Sequence, residues 1–213
     1  MVPARLKICG DFFMEVRFMK NRKANWIVKV AMLGAVATVL MLFEFPIPFI
    51  APNFYELDFS EVPVLVGGFA MGPLAGVAIE AVKILLNFLI NGTITGGVGE
   101  FSNFVLGAIF VFPAAIIYQR VKTRKGAVIG LATGGILMVI LGVFTNAFIM
   151  LPLYSKMMPL ETILGMAAAI WPAVDSVFDF VLLCVVPFNI VKAILVSVIT
   201  VALYKRLSPL LKK

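Results

Sequence analysis

The stretch VPVLVGGFAMGPLAGVAIEAVKILLNFLI, residues 62–90, decides how the chain folds. A membrane-spanning helix needs roughly 20 apolar residues, so this nearly continuous apolar run is too long for one helix and short for two. Gly72 and Pro73 lie in its middle, and proline inside a helix removes a backbone hydrogen bond and clashes with the preceding turn. We therefore predict two short helices, at about residues 57–71 and 73–90, hinged at Gly72-Pro73.

Four more apolar runs flank this stretch, at residues 26–43, 104–118, 127–151 and 180–204. Apolar residues make up 62% of the 213-residue chain and charged residues 14%. Soluble domains have roughly 45–50% apolar and about 25% charged residues, so the chain carries more apolar surface than a soluble protein can bury. A bilayer accepts that surface, and helices satisfy their own backbone hydrogen bonds within it. The composition predicts an all-α integral membrane protein.

The basic residues set the number of crossings. Fourteen of the 18 lysines and arginines lie in three clusters, at residues 5–23, 120–125 and 205–213. Such clusters stay on the cytoplasmic side of a membrane, so the chain must cross an even number of times between successive clusters. This predicts a bundle of six transmembrane helices with both termini cytoplasmic.

The same clusters predict three regions. They are a basic cytoplasmic N-terminal extension (1–23), a six-helix membrane domain (24–207) and a basic C-terminal tail (208–213). Most carboxylates then fall on the outer side, among them Glu44, Asp58 and Glu61.

Two predicted outer loops differ in character. Residues 44–57 contain three prolines, which exclude a regular helix and favour a stiff, extended segment. Residues 155–179 are apolar, include Trp171-Pro172, and are expected to hold a short helix at the membrane surface.

Several catalytic chemistries lack the residues they need. The chain has no histidine, which is the commonest acid–base catalyst and metal ligand, and no phosphate-binding Gly-x-x-x-x-Gly-Lys-[Ser/Thr] loop. Its two cysteines, Cys9 and Cys184, have no metal-binding spacing and are read as free thiols. We therefore expect no enzyme activity, no metal site, no cofactor and no nucleic-acid partner.

Polar residues inside the apolar runs are the candidates for function, because a lysine at the centre of a membrane helix costs about 2.5–3.5 kcal/mol. Glu80 and Lys83 stand three residues apart on one helix and can neutralise each other. Lys29 can reach the inner surface with its long side chain. Asn146, Asn189 and Lys192 are predicted at similar depth in the outer half, where they bind a ligand or join helices by hydrogen bonds. The full set is Lys29, Glu80, Lys83, Asn87, Asn103, Asn146, Asn189 and Lys192.

Several short motifs resemble one known family. They are Phe-Glu-Phe-Pro-Ile-Pro-Phe (43–49), Leu-Asp-Phe-Ser-Glu-Val-Pro (57–63), Gly-Pro-Leu-Ala-Gly (72–76), Asn-Ala-Phe-Ile-Met-Leu-Pro-Leu-Tyr (146–154) and Pro-Phe-Asn-Ile-Val-Lys (187–192). In this order they resemble the riboflavin-binding S component of energy-coupling factor (ECF) transporters, from about residue 20 to residue 206.

The resemblance implies a membrane subunit that binds riboflavin from outside and does not hydrolyse ATP. Its implied partners are a coupling transmembrane subunit and two cytoplasmic ATPase subunits. It implies flavin-ring contacts at Asn146, Asn189 and Lys192, and a lid formed by the loop after the first helix, residues 44–57. Glu44 in that loop and Asn103 complete the candidate substrate-binding set. The Ala-x-x-x-Ala of the first helix, here Ala31 and Ala35, is implied to face the coupling subunit.

Two other classes remain alternatives. A stand-alone secondary transporter of a small vitamin-like solute could use Glu80 and Lys83 as a coupling pair, although no inverted repeat is visible. A membrane-embedded enzyme is disfavoured by the lack of histidine.

Overall fold

A computed structural model describes residues 4–93, 96–156 and 158–211 of the chain, with side chains described between residues 23 and 204 of these ranges. The described chain is mostly helical and contains one small two-stranded sheet. Its elements are α1 (Ala4–Met41), β1 (Phe45–Pro46), β2 (Glu56–Leu57), α2 (Glu61–Met71), α3 (Pro73–Asn91), α4 (Val98–Arg120), α5 (Arg124–Thr145), α6 (Leu151–Tyr154), α7 (Leu160–Ala168), α8 (Val177–Phe180) and α9 (Val186–Leu211). A π-helical turn joins α5 to α6 at Asn146–Met150, and another joins α8 to α9 at Val181–Val185.

Among the described residues, five helical segments are long and apolar enough to cross a membrane. They are Lys23–Met41, Pro73–Asn91, Val98–Arg120, Arg124–Tyr154 and Val177–Tyr204. Many of their large apolar side chains point out of the bundle, for example Met32, Leu89 and Val198. Such surfaces are stable in contact with lipid. The fold is therefore that of an all-α membrane protein.

The predicted break at Gly72-Pro73 is present and separates α2 from α3. Gly72 has a φ of +104°, a conformation that residues with a Cβ rarely adopt. Helix α2 is shorter than predicted and begins at Glu61, because Leu57 pairs in β2 and Asp58 accepts a hydrogen bond from the backbone N–H of Ser60 at 2.7 Å. Its 11 residues extend about 16 Å, which is less than the roughly 30 Å hydrocarbon thickness of a bilayer.

Helix α2 is the central element of the bundle. Its residues from Glu61 to Phe69 are all buried, and it packs against α1, α3, α4 and α9. An apolar surface on every side suits a helix enclosed by others. The only charged residue in this segment, Glu61, is thus held inside the protein.

Glycines bring α4 and α5 close together. A Cβ added at Gly130 would lie 2.6 Å from the carbonyl oxygen of Ala114, and one at Gly134 would collide with the backbone of Phe110. The two helices run antiparallel, so the N-terminal part of α4 and the C-terminal part of α5 lie at the same end of the bundle. This close contact between small residues sets which residues of α4 and α5 lie side by side in the bundle.

The proline-rich loop folds into a short hairpin over that end of the bundle, which we call the hairpin end. Strands β1 and β2 pair antiparallel, with Phe45 opposite Leu57 and Pro46 opposite Glu56. The predicted short helix in the second loop is α7, and Trp171 Nε1 in that loop donates a hydrogen bond to the carbonyl of Ile50 at 3.2 Å. The two loops thus support each other.

The three predicted regions of the chain can be compared with the structure near its two termini. Helix α1 runs without a break through residue 23, where the basic N-terminal extension was predicted to end. Residues 1–3 and 212–213 and the side chain of Cys9 lie outside the described residues, and the division into three regions stays a prediction. Cys184 is a buried free thiol, as predicted.

Candidate functional site

Tyr55 turns inward from the hairpin and reaches one of the predicted site residues. Its hydroxyl donates a hydrogen bond to Asn146 Oδ1 at 2.8 Å, and Asn146 Nδ2 donates to the carbonyl of Gly142 at 2.9 Å. Burial raises the pKa of Tyr55 well above its usual value, so the hydroxyl keeps its proton. Asn146 begins the π-helical turn that ends α5 and is 1% exposed.

Aromatic rings surround Tyr55. Its ring centroid lies 5.0 Å from that of Phe54, 5.5 Å from that of Phe188 and 6.2 Å from that of Phe180. Phe54 also contacts Tyr154 at 5.8 Å. These separations are typical of favourable aromatic pairs, and such walls suit a flat aromatic ligand.

Lys192 is held by two oxygens from different elements. Its Nζ donates to Asp58 Oδ2 at 3.0 Å and to Asn103 Oδ1 at 3.2 Å. Burial raises the pKa of Asp58, but Lys192, Lys83 and the hydrogen bond from Ser60 outweigh it and lower the pKa to about 2. The predicted site residues Lys192 and Asn103 are therefore in direct contact, and Asp58 is a partner that the sequence analysis did not single out.

Asn189 is buried against α5. A Cβ added at Gly142 would lie 3.1 Å from Asn189 Nδ2, so the glycine allows the amide to approach α5 closely. Within the described part of the chain, Asn189 Nδ2 has no hydrogen-bond partner. An unsatisfied buried donor costs about 1–3 kcal/mol, so a ligand acceptor at this position would be favoured.

A second buried charge cluster lies deeper, around Lys83. Its Nζ lies 2.7 Å from Glu80 Oε1 and 2.8 Å from Glu61 Oε1, and all three side chains are essentially inaccessible to solvent. The predicted pairing of Glu80 with Lys83 is present. The sequence did not predict that Glu61 joins this pair, because Glu61 stands 22 residues from Lys83 and reaches it only through the fold at Gly72.

Gly107 on α4 makes room for the two carboxylates. A Cβ at this position would lie 2.5 Å from Glu80 Oε1 and 2.9 Å from Glu61 Oε1. The level of Gly107 on α4 therefore marks the depth of the Lys83 cluster in the bundle.

Lys192, Asn103, Asn189 and Glu61 all line one cavity of about 80 Å³. Its polar walls are Glu56, Glu61, Ser102, Asn103, Asn189 and Lys192, and its other walls include Phe54, Tyr55, Tyr154, Phe188, Leu106 and Met138. Ligand pockets usually measure roughly 300–1,000 Å³, so the site is closed in this conformation. Phe54, Tyr55 and Glu56 of the hairpin form part of the cavity wall.

Asn146 and Glu44, two further predicted site residues, do not line this cavity. Asn146 is covered by Tyr55. Glu44 is half-buried beside Glu56, and the strand register carries it to the position opposite Asp58. Burial, followed by the charges of Glu56 and Asp58, raises the pKa of Glu44 to about 7.

The side-chain amides of Asn146 and Asn189, two of the three residues predicted at similar depth, both approach Gly142. Asn189 contacts α5 at Gly142, one helical turn before Asn146, and Lys192 lies almost one turn further along α9. Of the three, Lys192 lies deepest in the bundle.

A larger groove, of about 800 Å³, runs along the outside of α5 and α9. Apart from Arg124 and Ser197, its walls are apolar, for example Ile136, Ile140 and Val198. A ligand with a polar edge would find few hydrogen-bond partners there, so we place the candidate site in the smaller polar cavity.

The predicted docking residues lie on the surface of α1. Ala31 and Ala35 are both exposed, whereas Gly34 faces Val82 of α3. Neither alanine lines the cavity. Their position is compatible with contact to another protein.

The comparisons with known proteins agree on one family. Residues 25–204 match the family described as ECF transporter, substrate-specific component. The chain is 37% identical over 199 residues to the riboflavin transporter RibU of Staphylococcus aureus (strain TCH60), and this match covers 93% of this chain and 97% of that protein. It is 32% identical over 188 residues to the riboflavin transporter FmnP of Bacillus subtilis (strain 168), covering 88% and 94%.

A solved structure shows the same fold. It was described in work on the structure and mechanism of the S component of a bacterial ECF transporter. The two chains superimpose with a TM-score of 0.70 at 37% identity, and the match covers 90% of this chain and 99% of the other.

Proposed function

The chain belongs to the substrate-specific components of ECF transporters, and from that premise we propose that it binds riboflavin at the outer face of the membrane for ATP-driven uptake. It is a multi-pass protein of the cell membrane and a transport component, not an enzyme. Riboflavin is the transported ligand. The proposed partners are a coupling transmembrane subunit and two cytoplasmic ATPase subunits.

The observation that carries the proposal is a set of buried amides and an ammonium group next to aromatic walls. Riboflavin has a flat ring system with alternating C=O and N–H groups along its pyrimidine edge and a hydroxylated ribityl chain. An asparagine amide offers both a donor and an acceptor for such an edge, and lysine offers donors to carbonyl oxygens. Asn189 Nδ2 has no partner among the described residues and is available for this role.

The size of the cavity implies that the hairpin moves when riboflavin enters. In the proposed binding step, Tyr55 withdraws and the flavin ring takes its place between Phe54, Phe180 and Phe188. Asn146 Oδ1 then exchanges the Tyr55 hydroxyl for a donor on the ligand. The exchange costs little, because one hydrogen bond replaces another.

The proposed topology has six transmembrane helices, with α2 as the short second one, and both termini in the cytoplasm. The basic clusters support it, since residues 120–125 lie at the end of the bundle opposite the hairpin. The hairpin, α7 and the cavity then face the outside, where the vitamin is found.

The direct test is the purified protein itself. We expect co-purified flavin to give it a yellow colour, and added riboflavin to lose its fluorescence on binding. Riboflavin uptake by vesicles should require both ATP and the partner subunits. Uptake that needs an ion gradient but neither ATP nor partners would instead support the secondary-transporter alternative, in which Glu80 and Lys83 act as a coupling pair.

A further inference from the structure

We propose that Glu61 is a ligand-contacting residue whose Oε2 accepts a hydrogen bond from the ribityl chain of the flavin. This inference rests on the proposed riboflavin function and extends it to a residue outside the predicted contact set. It assigns the deeper end of the cavity to the hydroxylated chain of the ligand and the end near Asn189 to the ring edge.

The two oxygens of Glu61 have different surroundings. Oε1 accepts a hydrogen bond from Lys83 Nζ at 2.8 Å, while Oε2 has no hydrogen-bond partner among the described residues. Glu61 is 1% exposed, yet it lines the cavity. An unpartnered oxygen of a carboxylate that lines a cavity gains free energy when a ligand donor reaches it.

Glu80 provides the internal comparison. It contacts the same Lys83 Nζ at 2.7 Å and is equally buried, but it does not line the cavity. Both carboxylates therefore contribute to the Lys83 cluster in the same way. Of the two, only Glu61 lines the cavity, where a ligand can reach it.

Glu61 lies deeper in the bundle than the amide of Asn189. Gly107, next to Glu61, precedes Phe110 by three residues on α4, and Phe110 faces Gly134 on α5. Gly142, next to Asn189, lies eight residues beyond Gly134 towards the hairpin end. At 1.5 Å per residue, Glu61 lies about 7–8 Å deeper than Asn189.

The chemistry of the ligand decides which part meets the carboxylate. A carboxylate in an ion pair only accepts hydrogen bonds, and Glu61 is ion-paired with Lys83. The single N–H of the pyrimidine edge stands between two carbonyl oxygens, which would repel a carboxylate and suit an amide. The ribityl hydroxyls can each donate without that repulsion.

The experiment compares Glu61→Gln with Glu80→Gln, which removes the same charge from the same lysine. Riboflavin affinity is measured by fluorescence quenching, alongside that of lumiflavin, which has the ring but no ribityl chain. We expect Glu61→Gln to weaken riboflavin binding roughly 10- to 100-fold, as for a lost hydrogen bond to a charged group, and to leave lumiflavin within about twofold. Glu80→Gln should affect both flavins equally and by less.

Equal losses for riboflavin in the two variants would show that Glu61 acts only through Lys83, and would overturn the inference. So would an equal loss of lumiflavin and riboflavin in Glu61→Gln. If that variant does not fold, Glu61→Asp keeps the charge, and the same selective loss is expected from its shorter reach. Failure of the unaltered protein to bind riboflavin at all would instead overturn the proposed function, together with this extension of it.

Discussion

Asn146 and Asn189 differ in what their amides already bind. Asn146 uses Oδ1 for Tyr55 and Nδ2 for the carbonyl of Gly142, so only its oxygen can pass to a ligand. Asn189 Nδ2 is unpartnered among the described residues. The two asparagines, which look alike in the sequence, are thus expected to contribute unequally to binding.

Asn189→Ala should weaken riboflavin binding by roughly 10- to 150-fold and Asn146→Ala by roughly 5- to 50-fold, because a lost contact of about 1.4 kcal/mol is tenfold in affinity. The measurement is fluorescence quenching on well-folded protein. Asn91→Ala is the matched control, since Asn91 is exposed and its side chain donates to Asn87 Oδ1 at 3.1 Å. Wild-type affinity in both site variants would identify these amides as interhelical contacts.

Lys192 has a structural partner as well as a proposed ligand, and two variants separate the roles. Lys192→Met leaves Asp58 buried without its nearest cation, and breaking a buried pair costs about 3–5 kcal/mol. We expect a lower unfolding temperature and weak riboflavin binding. Adding Asp58→Asn removes the uncompensated charge, so the unfolding temperature should recover while binding stays weak. Recovery of binding together with stability would mean that Lys192 only supports the fold.

At the scale of elements, the hairpin carries a cluster of carboxylates, and the pKa of one of them, Glu44, is raised. Glu44, Glu56 and Asp58 lie together at its base, and Lys192 is the cation among the groups acting on Glu44. The pKa of Glu44 is raised from 4.5 to about 7 in the closed conformation. A raised pKa means that the protonated form stabilises closure, and that this stabilisation is lost as the pH rises through about 7.

We therefore expect riboflavin to dissociate faster as the pH is raised from about 5 to about 8.5. Glu44→Gln, which stays neutral, should flatten this dependence and keep dissociation slow. Glu161→Gln is the control, because Glu161 is an exposed carboxylate on α7 and is not among the groups that act on Glu44. Stopped-flow fluorescence measures the rates, and an unchanged pH dependence in Glu44→Gln would assign the titration to another group.

Local patterns predicted several elements correctly. The Gly72-Pro73 break follows from proline chemistry, and the Glu80–Lys83 pair follows from the helical period. Other features depend on contacts between distant segments. Nothing near Tyr55 in the sequence shows that it turns inward to Asn146, 91 residues away, and Asp58 and Glu61 look like ordinary outer-side carboxylates until the fold buries them.

At the scale of the whole molecule, the topology can be tested at both ends of the bundle. Lys122 and Lys156 are exposed at opposite ends, and single cysteines replace them after Cys9 and Cys184 are changed to serine. In intact cells, a membrane-impermeant thiol reagent should label position 156 and leave position 122 unlabelled until the cells are opened. Labelling of both positions from outside would contradict the proposed topology.

The proposed docking surface on α1 shares no residue with the lining of the cavity. Ala31 and Ala35 lie on the exposed face of α1, and small residues allow another helix to approach closely. Ala31→Trp or Ala35→Trp adds bulk to that face without touching the cavity. We expect vesicle uptake with the partner subunits to fall at least tenfold, while the isolated subunit keeps its riboflavin affinity within about twofold.

Ile136→Trp provides the matched control for this docking surface. Ile136 is 59% exposed on α5, a helix that packs with α4 and α9, whereas α1 packs with α2 and α3. An added indole there should face lipid and leave both uptake and binding unchanged. If the alanine variants lose binding as much as uptake, α1 supports the site through the fold. If they lose neither, the partner subunit approaches a different face of the bundle.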